Sequence, residues 1–145
     1  MQLRAPGHTL DSCEAGDLGA PQPMNRETFL LYIEAYNHRD WATVAGFYTA
    51  DAVFENFGHH HAGADTQRYL QQLHQGLEDR LKPLVVVTDN ANVAMEADCE
   101  LHALVDLPTL PIGAMKAGER RTVRMFSFYD LEGGKFRHVR VAAWP

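Results

Sequence analysis

Three consecutive histidines, His59-His60-His61, follow the apolar-leaning run Ala52-Val53-Phe54-Glu55-Asn56-Phe57. An imidazole titrates near ~6.5 and takes or gives a proton at neutral pH without a special environment. The triplet therefore reads as a base at the mouth of a pocket, as a metal site, or as a solvated turn. Ligand geometry weighs against the metal. Adjacent side chains of an extended segment point in different directions, and no cysteine or second histidine motif stands at ligand spacing. Tyr32, Tyr36, Tyr48 and Tyr129 also have chemistry to offer. A phenol packs in a core with its hydroxyl satisfied, or lines a cavity and donates from the same place. Glu100 and His102 share the polar side of an alternating segment, which puts them on an outer surface.

Positioning such groups requires a frame, and the chain supplies one from Asn25 onward. Phe29, Tyr32, Ile33 and Tyr36 recur at helical spacing behind a capping Asn25, which predicts a helix to about His38. Asp40 caps a second short helix with Trp41, Val44, Ala45 and Tyr48 on one side, completing an αα-hairpin. Ala52 to Phe57 is a short strand, and the histidines form the loop after it. Gly63 and Asp65 open a third helix with Tyr69, Leu70, Leu73 and Leu77 as its stripe. Leu84 to Thr88 is a β-branched strand ended by the turn Asp89-Asn90. From Val93 to Leu107 every second residue is apolar, the mark of a long strand with one wet face. A loop rich in Pro and Gly runs to Glu119. Strands Arg121–Leu131 and Phe136–Trp144 then pair across Glu132-Gly133-Gly134. Helices first and antiparallel strands last make an α+β class, with helices on one face of a curved sheet.

The bulk properties narrow the function. A chain of 145 residues suits one domain and buries a core without disulfides or metal. Net charge is −6, which speaks against nucleic acid as the main partner. Cys13 and Cys99 form neither a disulfide framework nor a zinc motif, so a reducing, cytoplasmic setting is expected. No apolar run approaches the ~18 residues of a membrane span, and the opening residues lack a signal-like run. Residues 1–23, with Pro6, Gly7, Gly16, Gly19, Pro21 and Pro23 and no periodicity, read as a mobile tail. The domain is expected at 24–145, with Met24 as an alternative start.

Tyr36-Asn37-His38-Arg39-Asp40-Trp41, then Phe47-Tyr48, then Asp51-Ala52-Val53, resembles the opening of the nuclear transport factor 2-like superfamily. Leu107-Pro108-Thr109-Leu110-Pro111-Ile112-Gly113 and Phe128-Tyr129-Asp130-Leu131-Glu132-Gly133-Gly134-Lys135-Phe136 look like its SnoaL-like polyketide-cyclase branch. The likeness spans roughly residues 25 to 144. It implies a cone-shaped α+β barrel, three N-terminal helices packed on a strongly curved, mostly antiparallel sheet around a deep pocket. It also implies chemistry without a cofactor, with carboxylates, histidines and tyrosines moving protons on an apolar substrate.

Residue by residue, the family's acids are missing. The isomerases' oxyanion tyrosine falls at Tyr32, but their base aspartate falls at Asn56 and their second acid at Ser127 or Phe128. The epoxide hydrolases' relay falls near Glu100, His102 and Val141, although Asn56 matches their water-holding asparagine. The dehydratases' tyrosine-aspartate pair falls at Tyr36 and Asn37, and the cyclases' aspartate near Val141. The resemblance implies Tyr32 and Tyr129 as oxyanion donors and Asn56 as an orienting amide; with the carboxylates absent, His59 or His61, in the segment that follows Asn56, is read from residue type and position as the base. Tyr36, Tyr48, Met125 and Ser127 would contact substrate. The reaction would be cyclisation, isomerisation or dehydration of an apolar cyclic carbonyl compound, polyketide- or terpenoid-like, with no cofactor and no metal. The rival is a non-catalytic module that carries a small ligand or docks a protein. Phe126 and Phe128, on the opposite face from Ser127 and Tyr129, suggest a homodimer through the outer sheet face, joined by Trp144.

Overall fold

The computed structural model describes residues 23–144. The expected tail therefore lies, but for Pro23, outside the described residues. Helix α1 (Arg26–Asn37) starts where Asn25 accepts from the Thr28 amide, and α2 (Trp41–Gly46) where Asp40 accepts from the Thr43 amide. Both caps satisfy backbone donors that the first helical turn leaves free. Then come β1 (Tyr48–Asn56), β2 (His59–Ala62), α3 (Ala64–Gly76), β3 (Leu77–Thr88), β4 (Asn92–Ala103), β5 (Arg120–Glu132) and β6 (Lys135–Trp144). The six strands form one sheet in the order β2-β1-β6-β5-β4-β3. Every neighbouring pair is antiparallel except β1 with β6. The three helices cover one face. The implied cone-shaped α+β fold is the observed one.

Some bounds shift, β1 opening at Tyr48, expected on the second helix, rather than at Ala52 and β4 ending at Ala103 rather than Leu107, and two segments change in character. The histidines are not a loop. They form the edge strand β2, paired Asn56↔His59 to Val53↔Ala62 with β1. The connection is Phe57-Gly58, both at positive φ (50° and 82°), a two-residue hairpin turn whose twist matches the strands it joins. Phe is a rare first residue for that turn, so the usual Asn-Gly or Asp-Gly signal was missing. Second, β3 begins at Leu77 rather than Leu84. Pro83 reads as a strand breaker in sequence, but β3 is an edge strand, where a missing amide hydrogen costs no ladder bond, and a bulge follows between Pro83 and Val85. The Asn37 side chain binds this edge as a strand would, donating to the Leu81 carbonyl (2.9 Å) and accepting from its amide (2.8 Å). That contact fixes the end of α1 against the start of β3.

Alternation decides which side chains face the helices. On β4, Val93, Met95, Ala97, Cys99, Leu101 and Ala103 are buried, while Glu100 and His102 lie on the outer side. The core is aromatic. Phe136 is fully buried, with Tyr32 edge-on at 4.8 Å and 78°, and Phe29 meets Tyr129 at 5.1 Å and 74°. Such edge-to-face pairs add about 0.5–1.5 kcal/mol each beyond the area they bury. Strand register sets Asn56, Val141, Ser127 and Met95 in one row across β1, β6, β5 and β4. No helix among the described residues is long and apolar enough to cross a membrane.

Candidate active site

Between the helices and the concave sheet lies a cavity of about 100 Å3. Its wall is mostly apolar, with Phe54, Leu70, Leu73, Met95, Val123 and Met125 among the residues that line it. The space holds a few waters or one small ring. A larger guest requires Met95 and Met125 to swing, which their unbranched side chains permit. Pro111, on the long loop before β5, lines the cavity and is solvent-exposed, so an opening lies there.

Polar atoms interrupt this wall at a few points. Asp79 is the one carboxylate among the described lining residues. It is 9% exposed, and both of its oxygens are engaged. Tyr36 donates to Oδ2 at 2.9 Å, and the Nε2 of the buried His74 bonds to Oδ1. His74 Nδ1 lies 2.6 Å from the Leu70 carbonyl one helical turn back. A carbonyl only accepts, so Nδ1 carries a proton. One further proton is then shared between Nε2 and Oδ1, and the pair is neutral as a whole whichever atom holds it. The rings of Trp41 (4.9 Å) and Tyr36 (5.2 Å) enclose the imidazole. Burial, and next the carboxylate of Asp79, hold the Tyr36 phenol well above its ordinary pKa, so it stays a donor.

On another part of the wall, Asn56 donates from Nδ2 to the Tyr69 hydroxyl at 2.9 Å. Its Oδ1 is buried without a partner, as is Ser127 Oγ. Buried acceptors left open in this way suit a guest that brings a donor. Tyr32 and Tyr129 also line the cavity, and Tyr32 shares a 2.8 Å hydrogen bond with Tyr48 behind it. Burial pushes the Tyr129 phenol up to about 12, and raises those of Tyr32 and Tyr48 as well.

A family model described as the SnoaL-like domain matches residues 30–139. The chain belongs to the SnoaL-like family. Among solved structures it is similar to a candidate polyketide cyclase of Xanthomonas campestris pv. campestris, at 24% identity over 80% of this chain and 88% of that one, TM-score 0.69. It is also similar to a SnoaL-like polyketide cyclase of Agrobacterium tumefaciens (18% identity, 83% and 93% covered, TM-score 0.68). An LEH-like epoxide hydrolase of M. tuberculosis follows at 18% identity, 81% and 80% covered, TM-score 0.65. At these identities the likeness is one of fold. No curated protein matches the chain.

Within the SnoaL-like frame, the residues named from sequence separate into two groups. Tyr32, Tyr36, Asn56, Met125, Ser127 and Tyr129 line one cavity. Tyr48 stands behind Tyr32. His59 and His61 do not line it. His59 is exposed at the hairpin, and His61 stacks on the outer side of Tyr69, ring to ring at 3.8 Å and 13°. His60 turns the other way, to Glu55 at 3.0 Å. Among the described residues no three His, Cys, Asp or Glu side chains converge as a metal site would require. Val141, at the cyclases' aspartate position, does face the cavity and is apolar.

Sequence reasoning missed Asp79 and His74. The signal was phase rather than residue type. His74 falls one turn after Leu70, in the stripe of α3, and Asp79 alternates with Leu77 and Leu81 on the inward side of β3. A charged residue in step with buried apolar neighbours is seldom there for packing alone.

Proposed function

We propose that this SnoaL-like domain is a cofactor-independent acid–base catalyst acting on a small, apolar, cyclic carbonyl compound. The observation that carries the reading is Asp79, the cavity's carboxylate, braced by His74 and Tyr36. It supplies the acid that the family's usual positions lack here. With the shared proton on His74, Asp79 is a carboxylate facing the guest. It takes the proton from the carbon beside the carbonyl, and the C–H electron pair flows into the carbonyl to leave an enolate oxygen. Tyr129, and Tyr32 when Tyr48 donates to it, offer hydrogen bonds to that oxygen in a site from which water is largely excluded. The proton on Asp79 then goes to another carbon in isomerisation, or to a departing hydroxyl in dehydration. In cyclisation it goes to the alkoxide formed when the enolate carbon attacks a second carbonyl. Asn56 orients the guest, and His61 bears on Asn56 through Tyr69.

Proton abstraction can be tested before the substrate is known. Cyclic ketones of one and two rings are incubated with the protein in D2O, and exchange of their α-hydrogens is followed by NMR. Asp79→Asn should slow exchange by about 100- to 10,000-fold, the usual worth of a positioned general base. A ligand-carrying module would bind a ketone, seen in line broadening, and exchange nothing.

We also propose that the outer face of the sheet joins two copies. Val87, Phe126, Phe128 and Trp144 are exposed there, Trp144 at 66%. Phe126→Asp should convert a dimer to a monomer in sedimentation velocity, and a wild-type monomer at high concentration would end the idea.

A further inference from the structure

Asp79 and Leu101 wall a second space besides the cavity, a polar groove of about 410 Å3 between the α1–α2 turn and strands β3 to β5. Arg39, Arg80 and Arg120 line it. None of the three guanidinium groups has a hydrogen-bonding or ion-pair partner among the described residues, and Arg39 Nη1 is shut off from solvent without an acceptor. The groove's carboxylates are occupied. Glu78 binds His102 at 3.1 Å, Glu100 binds Lys82 at 2.6 Å, and Asp79 is held by His74 and Tyr36. A buried guanidinium nitrogen with no acceptor is costly, and in a chain of net charge −6 nearby acceptors are not scarce.

The backbone at Arg39 is a second, independent sign. Helix α1 ends in a Schellman turn: the Asp40 amide donates to the Ala35 carbonyl (2.9 Å) and the Arg39 amide to that of Tyr36 (3.0 Å). The residue at the left-handed position of that turn is ordinarily glycine. Here it is Arg39, at φ 58°. A long cationic side chain sits where its own backbone conformation disfavours it, and it projects into a groove that holds two more arginines.

We propose that Arg39, Arg80 and Arg120 form a binding site for a small oxyanion, a carboxylate or a phosphate group. Planar guanidinium forks match both groups and bind them in pairs of charge-assisted hydrogen bonds. The oxyanion is either a free ion or the acidic end of a molecule whose apolar part enters the cavity past the shared wall of Asp79 and Leu101.

The test is a titration of the 15N-labelled protein at low ionic strength with inorganic phosphate and, separately, with 3-phenylpropanoate. The side-chain Nε–Hε signals of Arg39, Arg80 and Arg120 should shift and saturate, and those of Arg68 and Arg137, each beside its own carboxylate, should not. Phosphate acting alone identifies a free anion as the ligand. Shifts of the Met95 and Met125 methyl signals with phenylpropanoate identify the acidic end of a cavity guest. Arg39→Gly should raise the melting temperature by relieving the left-handed turn, while weakening anion binding about tenfold. Arg80→Gln/Arg120→Gln should weaken it at least as much without the gain in stability. No saturating shift with either probe, equal shifts at Arg68 and Arg137, or unchanged binding in Arg39→Gly would overturn the proposal.

Discussion

The β1–β2 hairpin and the α3–β3 junction lie on opposite sides of the cavity and make opposite use of histidine. The hairpin carries three in a row, the most conspicuous chemical feature of the sequence. In the fold, edge-strand alternation sends His60 to Glu55 on the outer side and His61 onto the back of Tyr69. The junction carries one histidine, hidden in a helical stripe, and it meets the cavity's carboxylate where both side chains are buried. Residue type marks candidates. The phase of a residue within its element decides which candidates reach the site.

The contrast is broken or kept first by activity. If the junction is the catalytic side, Asp79→Asn loses about 100- to 10,000-fold in α-hydrogen exchange, while His59→Gln stays within about threefold of wild type. The reverse ranking would return the base to the hairpin and remove Asp79 from the mechanism.

Stability should divide in the same direction. His74→Leu leaves the Asp79 carboxyl buried without its imidazole, and loss of one partner of a buried pair costs about 3–5 kcal/mol. His60→Ala removes an exposed partner of Glu55 and should cost less than about 1 kcal/mol. Urea unfolding of both variants measures the difference. Equal midpoints would mean that the His74–Asp79 contact is not a strong one in solution.

Alkaline pH probes the phenols between the two regions. Tyr32, Tyr36, Tyr48 and Tyr129 all have raised pKa values, chiefly through burial. For such a group the folded state keeps a proton that the unfolded chain gives up near ~10, so stability is fully present below that pH and falls above it. Tyr129, raised to about 12, alone withdraws about 2–3 kcal/mol across that window. Absorbance at the phenolate band should therefore rise in one cooperative step with loss of helix signal. A gradual rise near pH 10 with helix intact would mean that these rings are wet.

How far the fold was legible follows from where its rules are strict. The caps at Asn25 and Asp40, the alternation of β4 from Val93 to Ala103 and the glycine turn before β6 each rest on a local preference and appear where the sequence put them, whereas the expected continuation of β4 to Leu107 does not, Val105 being exposed. The start of β3 did not show, because Pro83 is acceptable only once β3 is known to be an edge. The β1–β2 turn did not show, because Phe57 occupies a left-handed position usually given to Asn or Asp. Much of the cavity wall could be named from the family resemblance. Its carboxylate could not, because Asp79 is brought to Tyr36 by the contact of Asn37 with Leu81, a pairing 44 residues apart along the chain.

The smallest expected effect bears on what remains for the hairpin. If His61 acts only by holding Tyr69, and through it Asn56, then a ring that stacks without titrating should serve as well. His61→Phe keeps the stack and should retain activity within about twofold, whereas His61→Ala frees Tyr69 and should lose several-fold through a weaker KM rather than kcat. Burial and the neighbouring His59 depress the His61 pKa, which favours the neutral ring. Its contribution to stability is then present above the ordinary histidine pKa and fades as pH falls. His61→Phe should abolish that small acid sensitivity of the hairpin, visible as loss of the Tyr69 and Asn56 amide shifts between neutral pH and pH 5. A fall in kcat for His61→Phe as large as that for Asp79→Asn would show that the imidazole itself moves the proton, and the two sides of the cavity would then exchange roles.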